Sequence, residues 1–224
     1  MLNELIPGTI WNAQYSLSFG PIKIKTRMTV IRLSNGTLWV HSPIEPTPEL
    51  VDALQVIGPV GHVVAPNKSH HLFFKAFVRQ YPSAKGYIAP GLDSKRAELA
   101  DYDQLTGQQL WSPELQGYFI QGLPVINETV WFHADTGTLV VADLLFCFGP
   151  DNSKLTSLVA SLLGVRGRLA MSKTMKIMIK DKDKLIGSIA PLMDLPIQRI
   201  VLAHDQIITE NASDQFKQAF SWLD

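Results

Sequence analysis

The sequence has no excess of charge of either sign. Its 224 residues include 20 lysines and arginines and 20 aspartates and glutamates, so the net charge is zero when the histidines are neutral. Proteins that bind nucleic acid or anionic lipid through a broad electrostatic surface usually carry a basic excess. We therefore expect no nucleic-acid partner and no attachment to a charged membrane surface.

The sequence also lacks a second cysteine, a long apolar run and a secretory signal. Cys147 is alone, so an intramolecular disulfide is impossible, and its apolar neighbours favour a buried side chain over a catalytic thiol. No stretch reaches the ~18 consecutive apolar residues of a membrane span. Residues 1–5 do not combine a basic region with an apolar one. We expect a cytoplasmic protein without a membrane segment.

The sequence does contain two clear β-hairpin patterns. Residues 29–33 and 37–41 are rich in β-branched and aromatic residues and flank an Asn-Gly pair, whose backbone tolerates positive φ. Residues 128–133 and 138–143 form a second such pair around a four-residue turn. Hydrophobic residues make up 46% of the chain and charged residues 18%, which suits a protein with fully buried strands.

Helical and strand patterns alternate along the rest of the chain. Thr47 followed by Pro48 is a typical helix start. Further strands are predicted at 60–65, 84–88, 117–120 and 200–203. Helices are predicted from residue 47, at 70–80, at 153–163, at 173–192 and at 212–222, and a weaker helical pattern covers 93–99. The order indicates one α/β domain over residues 1–224, with no repeat and no linker.

The most informative stretch is the loop at residues 66–71, which joins a predicted buried strand to a predicted helix. Its sequence is Pro-Asn-Lys-Ser-His-His, and the adjacent His70 and His71 lie where side chains can converge on a ligand or a metal. Two other candidate ligands end predicted strands. These are Asp143 after the second hairpin and His204 after the strand at 200–203.

This order of elements resembles the metallo-β-lactamase superfamily, which includes glyoxalase II-like hydrolases. Those proteins carry a His-x-His-x-Asp-His loop between a buried strand and a helix. The loop at 66–71 looks like that motif with Pro66 and Lys68 in place of the first two histidines, and with His70 in place of the aspartate. His71 matches the last histidine. The resemblance implies a four-layer αββα sandwich, classed as α/β (α+β).

The resemblance also implies that the first of the family's two metal positions has lost its ligands. Pro66, Lys68 and Leu123 match the three histidines of that position, and none offers a suitable donor atom, because a protonated lysine repels a cation. The chain looks closest to an uncharacterised subfamily with a degenerate metal loop, for which no activity is established.

The second metal position keeps its ligands in the same comparison. His70, His71, Asp143 and His204 would hold one Zn or Fe ion with an open position for water. His41, Asn67 and Lys68 are expected to line the pocket around it. The alternative is that the loop histidines and the strand-end aspartate only cap helices or satisfy backbone groups.

Three functions remain open. The first is a mononuclear metal-dependent hydrolase of ester, thioester or lactone bonds. The second is a catalytically inactive protein of the same fold that binds a small molecule or a protein partner. The third is a metal-dependent redox protein, because such a ligand set also suits iron. Glu128, at the start of the second hairpin, is a weak general-base candidate that we expect to be a solvated strand-end carboxylate.

Overall fold

Two β-sheets form the centre of the structure, a computed structural model that describes residues 1–106, 111 and 113–223. The first sheet has seven strands in sequence order: β1 (Asn3–Ile6), β2 (Ile10–Phe19), β3 (Ile22–Arg32), β4 (Leu38–His41), β5 (Val60–Ala65), β6 (Lys85–Ile88) and β7 (Asp103–Gln104). Strands β1 to β4 are antiparallel, and β4 to β7 run parallel because helices return the chain between β4, β5 and β6.

The second sheet is mixed and has the order β12-β11-β10-β9-β8. Its strands are β8 (Leu115–Phe119), β9 (Thr129–His133), β10 (Thr138–Val141), β11 (Arg199–Leu202) and β12 (Ile207–Ile208). The pair β10 and β11 is parallel, and the other neighbours are antiparallel. The carboxyl ends of β10 and β11 therefore meet at one edge of the sheet.

Seven α-helices accompany the two sheets in the described part of the chain. They are α1 (Pro48–Ile57), α2 (Phe74–Gln80), α3 (Leu92–Lys95), α4 (Lys154–Leu163), α5 (Lys173–Ile177), α6 (Lys182–Met193) and α7 (Ala212–Phe220). No helix within the described ranges is both long and apolar enough to cross a membrane.

Strand β4 shows how side-chain alternation builds the layers. Leu38 and Val40 point to one face, where they pack with residues of α1 and α2 such as Leu54 and Phe77. Trp39 points to the other face, into a layer between the sheets that also contains side chains of the second sheet.

The second sheet is covered on its far side by the last two long helices. Leu185 and Ile189 of α6 and Phe216 of α7 pack against strand residues such as Leu139 and Ile200. Together with the helices on the first sheet, this arrangement makes four layers in the order αββα. The fold class predicted from the sequence is confirmed.

Most predicted elements are present with small shifts of their ends. Both hairpins and the strand at 60–65 are confirmed, and Thr47 caps α1 by accepting a hydrogen bond from Leu50 N. The single helix predicted over 173–192 is wrong. Two helices, α5 and α6, occupy that range because the side chain of Asp181 caps a new helix, accepting from Lys184 N at 3.0 Å.

Arg27 of β3 joins the first sheet to the segment that follows β11. Its side chain is buried, and its guanidinium donates to the backbone carbonyls of Leu202, Asp205 and Gln206. Its Nε also donates to Asn12 Oδ1 at 3.2 Å. A single side chain thus satisfies the carbonyl at the end of β11 and two carbonyls of the segment after it, which holds that segment against β3.

Replacement of Arg27 with methionine should therefore destabilise the protein strongly. Arg27→Met keeps an unbranched apolar stem but leaves buried carbonyls without donors, at about 1–3 kcal/mol for each such group. We expect the free energy of unfolding, measured by urea denaturation, to fall by about 3 kcal/mol or more.

Lys23→Met on the same strand is the matched control, because the Lys23 side chain is exposed. Its effect should stay within about 0.5 kcal/mol. Equal effects of the two substitutions would show that Arg27 does not hold the segment in place.

Candidate metal centre

Side chains from both sheets meet at the carboxyl ends of the parallel strands. Ser42 follows β4, and His70 lies in the loop after β5. Asp143 lies two residues after β10, and His204 lies two residues after β11. Ligand sites of α/β proteins form at such edges, because the chain leaves the sheet there and loop side chains converge.

His70, Asp143 and His204 form a compact triangle of possible ligand atoms. The Nε2 atoms of the two histidines are 3.1 Å apart. Asp143 Oδ1 lies 3.4 Å from His70 Nε2 and 3.2 Å from His204 Nε2. Each of these residues can offer one donor atom to a shared metal ion.

The outer nitrogen of each histidine ring is held by a second partner. His204 Nδ1 lies 3.0 Å from the carbonyl oxygen of Lys25, which can only accept, so Nδ1 carries the proton and Nε2 faces the triangle. His70 Nδ1 lies 2.5 Å from Ser42 Oγ. Such outer partners fix the orientation of metal-ligating histidines and raise their basicity.

Asn67 connects Asp143 to the loop that carries His70. Its Nδ2 donates to Asp143 Oδ2 at 2.9 Å, which leaves Oδ1 free to face the histidines. Its Oδ1 accepts from the backbone N–H groups of Ser69 and His70, both at 2.8 Å. The fully buried amide of Asn67 thus positions two corners of the triangle at once.

Glu128 supports the same centre from below the surface. Its carboxylate accepts hydrogen bonds from the backbone N–H groups of Ala142, Asp143 and Leu144, at 2.8, 2.6 and 3.1 Å, and from Asn67 Nδ2 at 2.9 Å. The expectation of a solvated Glu128 is wrong, because its side chain is completely buried. With its oxygens occupied by four donors, Glu128 positions the turn after β10.

The buried charges of the centre favour a shared cation. Burial alone would raise the pKa of Asp143, but His70 and His204 hold that pKa far below its usual range. Burial acts to lower the pKa of His204, but Asp143 outweighs it and the pKa is raised. Burial and the Asp143 carboxylate raise the pKa of Glu128 to about 7. A positive charge shared with Asp143, as a proton on His204 or as a metal ion, is therefore favoured at this place.

Left-handed backbone is concentrated around the centre. Ser42, Asn127 and Asp205 have φ values of 53°, 47° and 59°, and they are three of the four non-glycine residues with positive φ in the described chain. Each contacts or adjoins a residue of the centre. Such conformations cost free energy and persist where the surroundings enforce them, which is common at functional sites.

The triangle has the dimensions that a metal ion requires. In a tetrahedral zinc site with bonds of about 2.0–2.2 Å, neighbouring ligand atoms are about 3.3–3.5 Å apart. The three observed separations are 3.1, 3.2 and 3.4 Å, so one lies within this range and two lie about 0.1–0.2 Å below it. Two imidazoles and one carboxylate are a donor set used by zinc hydrolases and by non-haem iron sites. The residues therefore fit a single Zn or Fe ion.

His71, the fourth predicted ligand, does not join the other three. Its half-buried ring is not among the side chains whose donor atoms converge, and burial and the positive charges of Arg96 and Lys95 lower the pKa of this ring. His70 and His71 are consecutive residues in a turn before α2, and it is His70 that contacts Asp143 and His204. The structure thus brings together three of the four predicted ligands.

The three residues predicted to line the pocket all lie outside its wall. Asn67 is buried behind Asp143. His41 is also buried, and burial together with nearby His70 lowers its pKa to about 3. Lys68 reaches away, and its Nζ donates to the carbonyl of Pro124 at 3.1 Å. They act behind the centre or apart from it.

The positions matched to the first metal site hold no cluster of donor atoms among the described residues. Pro66 is buried, and its carbonyl accepts from Thr129 N at 3.0 Å. Leu123 is completely buried in the apolar layer beneath the second sheet. The ammonium of Lys68 is bonded elsewhere, as described above.

A cavity of about 390 Å³ opens at the triangle, and His70, Asp143 and His204 line it. Phe146 also lines it and stacks on His204, with ring centres 5.7 Å apart and planes 14° from parallel. Neither Ser42 nor Phe146 was predicted from the sequence as part of the site. The sequence does place Phe146 three residues after Asp143, and this proximity could have suggested that Phe146 lies near the site.

Comparisons with known proteins agree with this architecture. Residues 7–99 match the family model of a domain of unknown function, DUF4336. No curated protein sequence matches the chain.

Among solved structures, the chain is similar to a metallo-β-lactamase from Pontibacter korlensis, with 12% identity, a TM-score of 0.66, and 98% of this chain and 97% of that one covered. A metallo-β-lactamase from Erythrobacter litoralis gives 13% identity and a TM-score of 0.64, with 97% and 94% covered. A mutant flavo di-iron protein from Thermotoga maritima gives 12% identity and a TM-score of 0.66, with 100% and 61% covered. At these identities the likeness concerns the fold, and we conclude that this chain has the metallo-β-lactamase fold.

Proposed function

We propose that the protein is a mononuclear metal-dependent hydrolase that cleaves an ester, thioester or lactone bond. The observation that carries the proposal is the triangle of His70, Asp143 and His204, whose three separations are close to the ligand spacing around one metal ion. The cavity at the triangle supports it, because a substrate can reach these atoms from solvent.

A bound Zn or Fe ion would polarise the substrate carbonyl and lower the pKa of a water molecule. The chain's own residues prepare the place for this chemistry. Lys25 O and Ser42 orient the two histidines, and Asn67 fixes the carboxylate of Asp143. In the overall reaction, water adds across the acyl bond and yields an acid and an alcohol or thiol.

A single ion is proposed because one set of donors converges within the described ranges. Pro66 and Leu123 have no ligand atom, and the Lys68 ammonium is bonded to Pro124 O. The site would therefore be a degraded form of the two-metal centre. We also propose that the enzyme acts on a small molecule in the cytoplasm, in line with its lone, buried Cys147.

One observation favours a second candidate, a binding protein without metal. His204 and Asp143 lie within ion-pair distance and satisfy each other if the imidazole is protonated. The centre would then be a structural ion pair beneath a ligand cavity. An iron-dependent redox protein is a third outcome of the same test, because the donor set also suits iron.

Metal binding is the first prediction. Protein purified without a histidine tag, incubated with Zn²⁺ or Fe²⁺ and freed of excess metal, should retain one ion per chain by elemental analysis. His204→Ala and Asp143→Asn should each weaken the affinity by on the order of 100-fold or more, because each removes a direct ligand.

His71→Ala is the matched control, since His71 adjoins a ligand in sequence but is not one of the three residues whose donor atoms converge. It should change the affinity by no more than about twofold. Failure of the wild-type protein to retain either metal would leave the metal-free binding protein as the better account.

Hydrolysis of a generic ester is the second prediction for this centre. The zinc-loaded protein should hydrolyse 4-nitrophenyl acetate, and a chelator should stop the reaction. His204→Ala should lower kcat/KM by on the order of 100-fold, and Ser42→Ala by roughly 10-fold through poorer orientation of His70.

His71→Ala serves again as the control and should keep most of the activity. If hydrolysis persisted in His204→Ala at the wild-type rate, the activity would arise from another site or from a contaminant.

A further inference from the structure

The wall of the cavity is mainly apolar away from the metal centre. It is built by side chains from both long strands of the first sheet, from the loop before α2, from α4 and the segment after it, and from α5. These side chains are Leu17, Ile24, Leu72, Leu163, Val165 and Met175. An apolar wall of this kind gains free energy by removing apolar ligand surface from water.

The cavity offers nothing to pair with a charged ligand group apart from the centre itself. Among the described residues that line it, none is a lysine or an arginine, and Asp143 is the one carboxylate. The polar groups are hydroxyls, such as those of Ser69, Ser172 and Thr174. A charged group buried here would lose its hydration without gaining a partner, which is costly.

The size of the cavity limits the ligand. Its volume is about 390 Å³. Since one water molecule occupies about 30 Å³ of the liquid, this space holds roughly a dozen non-hydrogen atoms. A carbonyl group with a chain of roughly eight to ten carbons is of this size, and its polar end would meet the centre formed by His70, Asp143 and His204.

We propose that the cavity binds an uncharged acyl compound with a medium-length apolar chain, with the carbonyl at His70, Asp143 and His204 and the chain along α4 and α5. As a statement about the substrate, this inference rests on the proposed hydrolase function. As a statement about binding, the inference does not need the hydrolase function, because binding depends on the side chains that line the cavity.

Methyl ketones of increasing chain length are suitable probes, because they carry a carbonyl group but no bond that a hydrolase cleaves. Their binding is measured by calorimetry on chelator-treated protein. The affinity should rise by about fourfold for each added methylene between four and roughly ten carbons, and then level off. Linear carboxylates of equal length should bind at least 10-fold more weakly to the same metal-free protein.

Two neighbouring leucines of α4 provide a matched pair of variants. Leu163 lines the cavity, whereas Leu162 is 64% exposed and lies outside the wall. Leu163→Gln should weaken binding of the ten-carbon ketone by on the order of 10-fold, and Leu162→Gln should leave it unchanged. Leu17→Gln on β2 gives a second test of the wall if Leu163→Gln does not fold, as judged by urea denaturation.

The outcomes separate this inference from the proposed function. Chain-length-dependent ketone binding without any ester hydrolysis supports the cavity inference and contradicts the hydrolase. Metal-dependent hydrolysis with ketone binding that is absent or independent of chain length overturns the inference and leaves the hydrolase standing. Stronger binding of carboxylates than of ketones to the metal-free protein would also overturn it.

Discussion

The hydrogen bonds of the Asn67 amide hold the candidate site together. One side of the amide donates to the carboxylates of Glu128 and Asp143, and the other accepts from the backbone of the loop that carries His70. Two buried carboxylates would repel each other if they were not separated by donors. The amide supplies these donors and leaves one oxygen of Asp143 free to face His70 and His204. Asn67 thus joins the loop to the turn after β10 through buried hydrogen bonds.

Much of the fold could be predicted from local sequence patterns, because those patterns have local physical causes. An Asn-Gly pair allows the tight turn between β3 and β4, and Thr47 caps α1 wherever the helix lies in space. The break between α5 and α6 was missed because Lys180 to Lys184 resembles a solvated helix face. Asp181 can act either as a surface residue or as an N-cap, and only the structure shows that it caps.

The candidate site was harder to predict, because its contacts join residues far apart in the chain. His70, Asp143 and His204 were identified from their strand-end positions and from the resemblance to a known metal loop. The orientation of His71 could not be read from the sequence, since it depends on the turn before α2. The burial of Glu128 was also hidden, because its donors lie in the next strand connection. Residues that act through buried networks have no characteristic spacing in one sequence.

Whether one metal ion binds at His70, Asp143 and His204 can be seen directly by anomalous scattering from crystals grown with Zn²⁺ or Fe²⁺. Data collected at the absorption edge of the metal show where each ion lies. We expect one anomalous peak per chain, within bonding distance of His70 Nε2, His204 Nε2 and Asp143 Oδ1, and no peak beside Pro66 or Leu123. A second peak at those positions, a peak bound by His71, or no peak at the triangle would contradict this expectation.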